Sequence, residues 1–318
     1  QSWNGGGGVF AGSEQEEAAT LVMGSKVSGG SSAEIGDDSG AFLSVILDET
    51  SIVSASGDGA IAILAQTNIL SSSVPIQILN SGTVTGGADY TNTSANNRVV
   101  HGVGVMISGG SDVGANSLVN AGSISTVGGV QSGYAIMTDH GVTNIDNFGT
   151  ITGSVDLGSN PGTFTNESGG VLNKGAVYKV GNNSLHNHGT INIGDEDSVD
   201  NTNLEGRIVQ YEGGRTLVTF DVLGEQSHDR LIVDGTAIMG GSFETRAKSL
   251  LPGNYEFLTA TNLTVTAEAV DRLLYAWDAT VDSNSVKVTP TRTFRTEGLS
   301  LSPTSQNLVS YLERAWDN

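Results

Sequence analysis

The chain has 318 residues, of which 37% are hydrophobic and only 15% charged, with 44 glycines, 5 prolines and no cysteine. The formal net charge of −20 excludes a nucleic-acid binder that works by neutralising phosphates, and disfavours docking on an anionic membrane. Zero cysteine excludes disulfides and thiolate metal sites, and no apolar run is long enough for a membrane-spanning helix. The glycine share is roughly double the usual ~7%, yet glycine and proline together stay below the ~25–30% of low-complexity chains. With neither an initiator methionine nor a signal peptide in view, the chain is expected to be mature, processed or cut from something longer.

At the N-terminal end, the glycine run Gly5–Gly8 lacks the Lys-Ser/Thr of a phosphate-cradling loop. GDDSG, Gly36–Gly40, is similar to the Gly-Asp-Ser-Gly around the nucleophile of chymotrypsin-like proteases, with one aspartate inserted. Those enzymes place histidine, aspartate and serine in that order along the chain. No histidine here precedes His101, so the segment reads as an acidic turn. FLSVIL from Phe42 is the longest apolar stretch and is strand-sized.

Repeats then dominate. ILNSGTVTGG from Ile78, LVNAGSISTVGG from Leu118, IDNFGTITGS from Ile145, FTNESGGVLN from Phe164 and LHNHGTINIG from Leu185 share apolar-x-Asn-x-Gly-[Thr/Ser]-[Val/Ile], with one extra residue in the fourth copy. Asn80, Asn120, Asn147, Asn166 and Asn187 are separated by 40, 27, 19 and 21 residues. These gaps fit a unit of about 20 residues, the first interval being a double and the second carrying a loop. Between them lies a second strand type: DGAIAIL from Asp58, HGVGVMI from His101 and SGYAIMT from Ser132.

Three strands of ~5 residues at ~3.3 Å each make one coil of a solenoid, and coils stacked ~4.8 Å apart pair strand on strand in parallel. The glycine after each asparagine is expected to supply a positive-φ corner, and the asparagines to stack as a ladder of side-chain amides. Val, Ile and Leu point inward and Ser, Thr and Asn outward. Stacked coils bury what one coil cannot. The expected fold is therefore all-β, a parallel β-helix over residues 1–200.

The pattern fades near Asn201, where longer alternating strands begin: RIVQY from Arg207, TLVTFDV from Thr216, RLIVDG from Arg230, GTAIMGG from Gly235 and NYEFLTA from Asn254. An acidic, apolar stretch follows from Ala267 to Val288. SPTSQNLVSYLERAWD from Ser302 predicts a helix, with Ser302 as N-cap, Pro303 in the first position, and Leu308, Tyr311, Leu312, Ala315 and Trp316 on one face.

HDRLIVDGTAIMGGSF, His228–Phe243, resembles a tract of the passenger domains of bacterial type V autotransporters, in which Ser/Asp-Asp-x-Leu-x-Val-x-Gly-Thr-Ala-x-Leu-Gly-Gly precedes a variable strand. NYEFLTA is similar to the Tyr-x-Ile-Leu-x-Ala strand that follows it, and the helix from Ser302 to that family's linker helix, with Gln306 and Asn307 in reversed order. The resemblance covers roughly residues 205–318. It implies a right-handed β-helix, with 201–298 as an autochaperone-like cap and 299–318 as a linker helix toward an outer-membrane barrel that this chain does not contain. It also implies a chain exposed on the exterior of a Gram-negative outer membrane or secreted from it.

Chemistry-bearing clusters are sparse. His186 and His188 flank Asn187 and would share a strand face, where two imidazoles could hold a metal. Asp195 and Asp197 follow in DEDSVD, which lacks the glycine and terminal glutamate of a calcium loop; solvated faces are the plainer reading of both. A polysaccharide lyase on this scaffold needs cationic side chains, and between Val27 and Asn173 the only lysine or arginine is Arg98. A hydrolase needs paired carboxylates ~5–9 Å apart, for which Asp112, Asp139, Asp146 and Asp156 are the candidates, with Tyr90, Tyr134, Phe148 and Phe164 the few aromatics nearby. No catalytic, cofactor-binding or metal set is assigned. The expected function is a non-catalytic adhesin or stalk that meets a surface glycan, a protein or another copy of itself. The alternative is a polysaccharide-active hydrolase or lyase on the same scaffold.

Overall fold

A computed structural model describes residues 11–13, 19–23, 26–29, 33–37, 43–55, 59–67, 75–92, 98–109, 115–127, 133–159, 161–194, 198–271, 275–292 and 300–316. The chain is a parallel β-helix. In its first two thirds each coil has three short strands, as in Val103–Ser108, Asn116–Asn120 and Ser123–Thr126, followed one level up by Tyr134–Asp139, Thr143–Asn147 and Thr150–Thr152. Each strand pairs in parallel with its equivalent above and below. Alternation decides what is buried: every second residue faces the interior, giving columns such as Ile78–Leu118–Ile145–Phe164–Leu185–Ile208 and Val84–Ile124–Ile151–Leu172–Ile191, all 0–1% exposed.

The five asparagines occupy one register position, and their side chains form a single chain of hydrogen bonds. Nδ2 of Asn80 donates to Oδ1 of Asn120 at 2.7 Å, and the series continues through Asn147 (2.7 Å), Asn166 (2.8 Å) and Asn187 (2.8 Å). A sixth amide completes it. Asn187 donates to Oε1 of Gln210 at 2.9 Å, and Nε2 of Gln210 donates to the Gly240 carbonyl at 2.7 Å. Buried amides cost free energy unless paired, and here each satisfies the next.

Three expectations change. Asn80 pairs directly with Asn120, so the 40-residue interval is one coil, not two. Part of its length goes into the antiparallel hairpin Tyr90–Asn92 and Arg98–Val100. In the fourth copy Gly169 has the expected positive φ (92), but the corner glycines Gly82, Gly122, Gly149 and Gly189 do not. They are glycine because coils approach closely there: a Cβ on Gly122 would fall on the Gly82 carbonyl oxygen, and one on Gly149 on that of Gly122.

Parallel stacking also does not stop at 200. Val177–Asn187 pairs with Asn201–Gln210, that strand with Arg230–Met239, and that one with Tyr255–Val265. What changes is strand length, since the first two strands of each coil merge into one of 10 or 11 residues. Each merged strand except the last bends at a glycine in left-handed conformation, Gly181 (φ 58), Gly206 (φ 125) and Gly235 (φ 151). The second sheet continues alongside through Arg215–Asp221, Ser242–Ser249 and Glu268–Ala269. The end is closed by the hairpin Tyr275–Val281 and Ser285–Arg292, whose second strand runs antiparallel on Tyr255–Val265.

The terminal helix spans Pro303–Trp316, with the Ser305 N–H donating to the Ser302 hydroxyl at 3.2 Å as an N-cap requires. Trp316 packs on Tyr275 at 5.1 Å, while Leu308 and Tyr311 remain exposed. No helix among the described residues is long and apolar enough to cross a membrane.

Candidate functional site: an uncharged sheet face with an aromatic edge

The second sheet turns a flat face outward. Its triplets Thr83-Val84-Thr85, Ser123-Ile124-Ser125, Thr150-Ile151-Thr152, Val171-Leu172-Asn173 and Thr190-Ile191-Asn192 bury the middle residue and expose the other two, at least in part. Register aligns them into two columns, Thr83–Ser123–Thr150–Val171–Thr190 and Thr85–Ser125–Thr152–Asn173–Asn192. Not one of these ten side chains is charged, in a protein carrying −20. Neighbouring rungs bond laterally, with Thr85 and Ser125 hydroxyls 3.4 Å apart and Asn192 donating to Asn173 Oδ1 at 2.7 Å. Above them stands the Arg215–Glu244 ion pair at 3.4 Å, and below them the first column continues through Ile52 to Lys26.

One corner away runs a second column, the residues that follow each ladder amide. Each donates its backbone N–H to the ladder residue of the coil below: Phe148 to Asn120 (2.7 Å), Glu167 to Asn147 (2.8 Å), His188 to Asn166 (2.7 Å), Tyr211 to Asn187 (3.0 Å) and Gly240 to Gln210 (2.8 Å). Phe148 and Tyr211 are 50% and 38% exposed. Tyr211 lies flat on His188, ring centroids 4.1 Å apart at 6°, and its hydroxyl sits 2.9 Å from Nδ1 of His186. Burial, then His188 and Arg207, push the His186 pKa down. This favours the neutral imidazole near pH 7, hydrogen-bonded at Nδ1 to the phenol.

Thus the two histidines meet at a tyrosine of the next coil, and no group of three metal-ligating side chains occurs among the described residues. Asp195 and Asp197 lie outside those residues, as do Asp112 and the Asp38–Gly40 part of GDDSG. The remaining candidate acids are not set opposite one another. Asp139 sits 2.9 Å from His140, Asp146 stands level with Val119 and Thr165, and Asp156 stands level with Met137 and 3.8 Å from Lys179. Of the aromatics, Tyr134 packs edge-on against His101 at 4.8 Å, and His101 Nδ1 lies 2.9 Å from Asp89. Phe164 is buried in the core.

In the His228–Phe243 tract two buried polar residues, His228 and Asp229, brace the coil. Asp229 is fully buried and accepts three backbone N–H bonds, from Asp200 (2.7 Å), Thr219 (2.6 Å) and Gly194 (3.0 Å). Burial raises its pKa to about 6 against the opposing pull of those bonds. His228 lies 2.8 Å from both the Ser227 hydroxyl and the Glu256 carbonyl, and burial lowers its pKa. An open cleft of about 300 Å³ beside it is lined by Asn201, Glu225, Gln226 and Arg230.

Gln210 and Tyr211 escape the sequence reading, although QYEGG stands where NHG stands one coil earlier and an amide before a glycine turn is the common signal. Neither comparison with protein-family models nor comparison with curated proteins finds a match for this chain.

Proposed function

We propose that this chain is a surface-displayed or secreted passenger of the autotransporter type, working without catalysis as an adhesin or stalk. The single observation that carries the reading is the uncharged hydroxyl-and-amide face, edged by exposed aromatics, on a strongly acidic protein. Such a face can approach a glycan, a matrix protein or another copy of itself without the repulsion that the rest of the surface imposes. Its lateral regularity offers hydrogen-bonding groups every ~4.8 Å along the column. The similarity of His228–Phe243 to passenger domains supports the cellular setting. The long, rod-like stacking suits a molecule that holds a contact away from the cell.

The test is to place charge on the face. Ser125→Glu together with Thr152→Glu, both at outward positions, is expected to cut cell adhesion or autoaggregation by roughly tenfold, since like-charge juxtaposition costs several kcal/mol. The measurement is adhesion of cells or beads carrying the whole chain. Adhesion equal to that of the unaltered protein on every surface tested would refute the reading.

A further inference from the structure

The corner column has one place where a ring is held flat and then left uncovered. Tyr211 rests on His188 of the coil below and is tethered through its hydroxyl to His186 of the same lower coil. Its underside is thereby closed and its orientation fixed. The coil above sets Gly240 in the equivalent position, with its N–H on the Gln210 carbonyl just as the Tyr211 N–H is on the Asn187 carbonyl. A glycine there projects no side chain over the ring, and Tyr211 keeps 38% of its surface in water.

A rigid aromatic face of this kind carries negative charge density above the ring. The axial C–H groups of a pyranose present a complementary, weakly positive and apolar face, while the sugar's hydroxyls stay free to bond the neighbouring rungs. Those rungs supply the uncharged groups needed, beginning with Thr190 and Asn192 in the coil below. Charges of both signs surround the ring. Glu212 follows Tyr211 directly and Glu167 lies two coils down the same column, while Arg207 acts on His186 and Arg215 stands on the same coil as Tyr211. The ring face, and not a charge, is therefore what receives the sugar.

We infer that Tyr211, backed by His188 and opened by Gly240, is a stacking platform for a pyranose ring. This rests on the adhesive reading only in taking a glycan as the partner, and it names the class of sugar and the residue that receives it.

Saturation-transfer NMR on the whole chain tests it, with methyl glucoside, methyl galactoside, methyl glucuronide and tetramethylammonium as probes. Transfer is expected to the ring protons of the glycosides. It should persist in Tyr211→Phe and fall about tenfold in Tyr211→Ala, the worth of one aromatic contact. Tyr211→Leu keeps apolar bulk on His188 without the π face, and serves the same purpose if the alanine variant does not fold. No transfer to either neutral glycoside, transfer unchanged in both the Ala and Leu variants, or a preference for tetramethylammonium would overturn the platform. If adhesion survives in a protein that shows no sugar signal, the platform falls and the adhesive reading stands. Sugar binding that depends on Tyr211 in a protein that does not adhere upholds the platform alone.

Discussion

The coils from Leu43 to Asn192 and those from Asn201 to Ala269 belong to the same two sheets, yet they are held together by different means. In the first set the strands are short up to Val177–Asn187, the interior is aliphatic apart from Phe164 and Tyr178, and a buried amide recurs once per coil from Asn80 to Asn187. In the second the strands are longer and the amide ladder ends at Gln210. Aromatics take over: Phe220 packs with Trp277 at 4.8 Å and Tyr255 at 5.4 Å, and Phe243 with Phe257 at 4.9 Å. Hydrogen bonding of polar side chains is concentrated there in Asp229, which joins three backbone segments at once. A periodic ladder spreads specificity evenly along a column and lets coils be added. An aromatic cluster with a buried carboxylate concentrates it at one end, where the last coil has no further neighbour and the edge must be closed.

That contrast can be broken at its largest scale by removing the C-terminal coils. Deleting residues 205–298 strips the Asn201–Gln210 strand of its bent second half and takes away every later coil, leaving the edge of Val177–Asn187 largely unpaired. The truncated chain is expected to lose cooperative refolding, read by circular dichroism after dilution from urea; full recovery of the shortened chain would show that the ladder coils need no cap. A smaller effect is expected inside the ladder. Asn147→Ala takes the donor from the buried Asn166 Oδ1 and leaves the Asn120 amide only its longer bonds to the Gly122 and Thr150 carbonyls, and should cost about 1–3 kcal/mol. A urea midpoint shift corresponding to less than half of that would mean that water or relaxation satisfies the gap.

The finest distinction is one of pH within the C-terminal tract. The folded His228 pKa is depressed, so the unfolded chain takes up that proton first, and stability is lost as pH falls below the ordinary value of about 6.5. Asp229 is shifted the other way, to about 6, so the folded state takes up its proton first and stability is gained as pH falls from about 6 toward the unfolded carboxylate range. Measured against the unaltered protein between pH 7 and 5, His228→Gln should gain relative stability and Asp229→Asn should lose it. The Asp229 change should be about 1 kcal/mol, and the His228 change should have the opposite sign. Stability profiles that run parallel for all three proteins would remove both residues from the account.

The ladder was legible because a coil must place one polar side chain at the same corner each time, and Asn-x-Gly marks that corner in four copies, with one residue more before the glycine in the copy at Asn166. Its spacing misleads where a hairpin is spliced in, as between Asn80 and Asn120, because surface loops vary in length at little thermodynamic cost. The corner glycines are visible as glycines, but their reason is not. A turn that needs positive φ and a backbone that needs room for the coil below leave the same letter in the chain. The apparent end near Asn201 arises because two strands fuse once glycines such as Gly206 and Gly235 turn a corner without a loop. Longer alternation then looks like a new domain. Among the candidate acids, composition gave no means of telling that Asp139, Asp146 and Asp156 stand on three different strands, with Asp156 one coil above the other two.

What the residues alone determined was the coil itself: inward aliphatic alternation, an amide per turn, uncharged outward triplets and a capped terminal helix. All of these are set by neighbours within a few positions. Tertiary structure decided which triplets became adjacent, that Gln210 closes the ladder, and that Tyr211 lies on His188 beneath an empty Gly240. Those relations join residues some 20–40 apart through loops of unequal length. Their register is chosen by the packing of buried side chains and coil-to-coil hydrogen bonds, which are satisfied only once the column has formed.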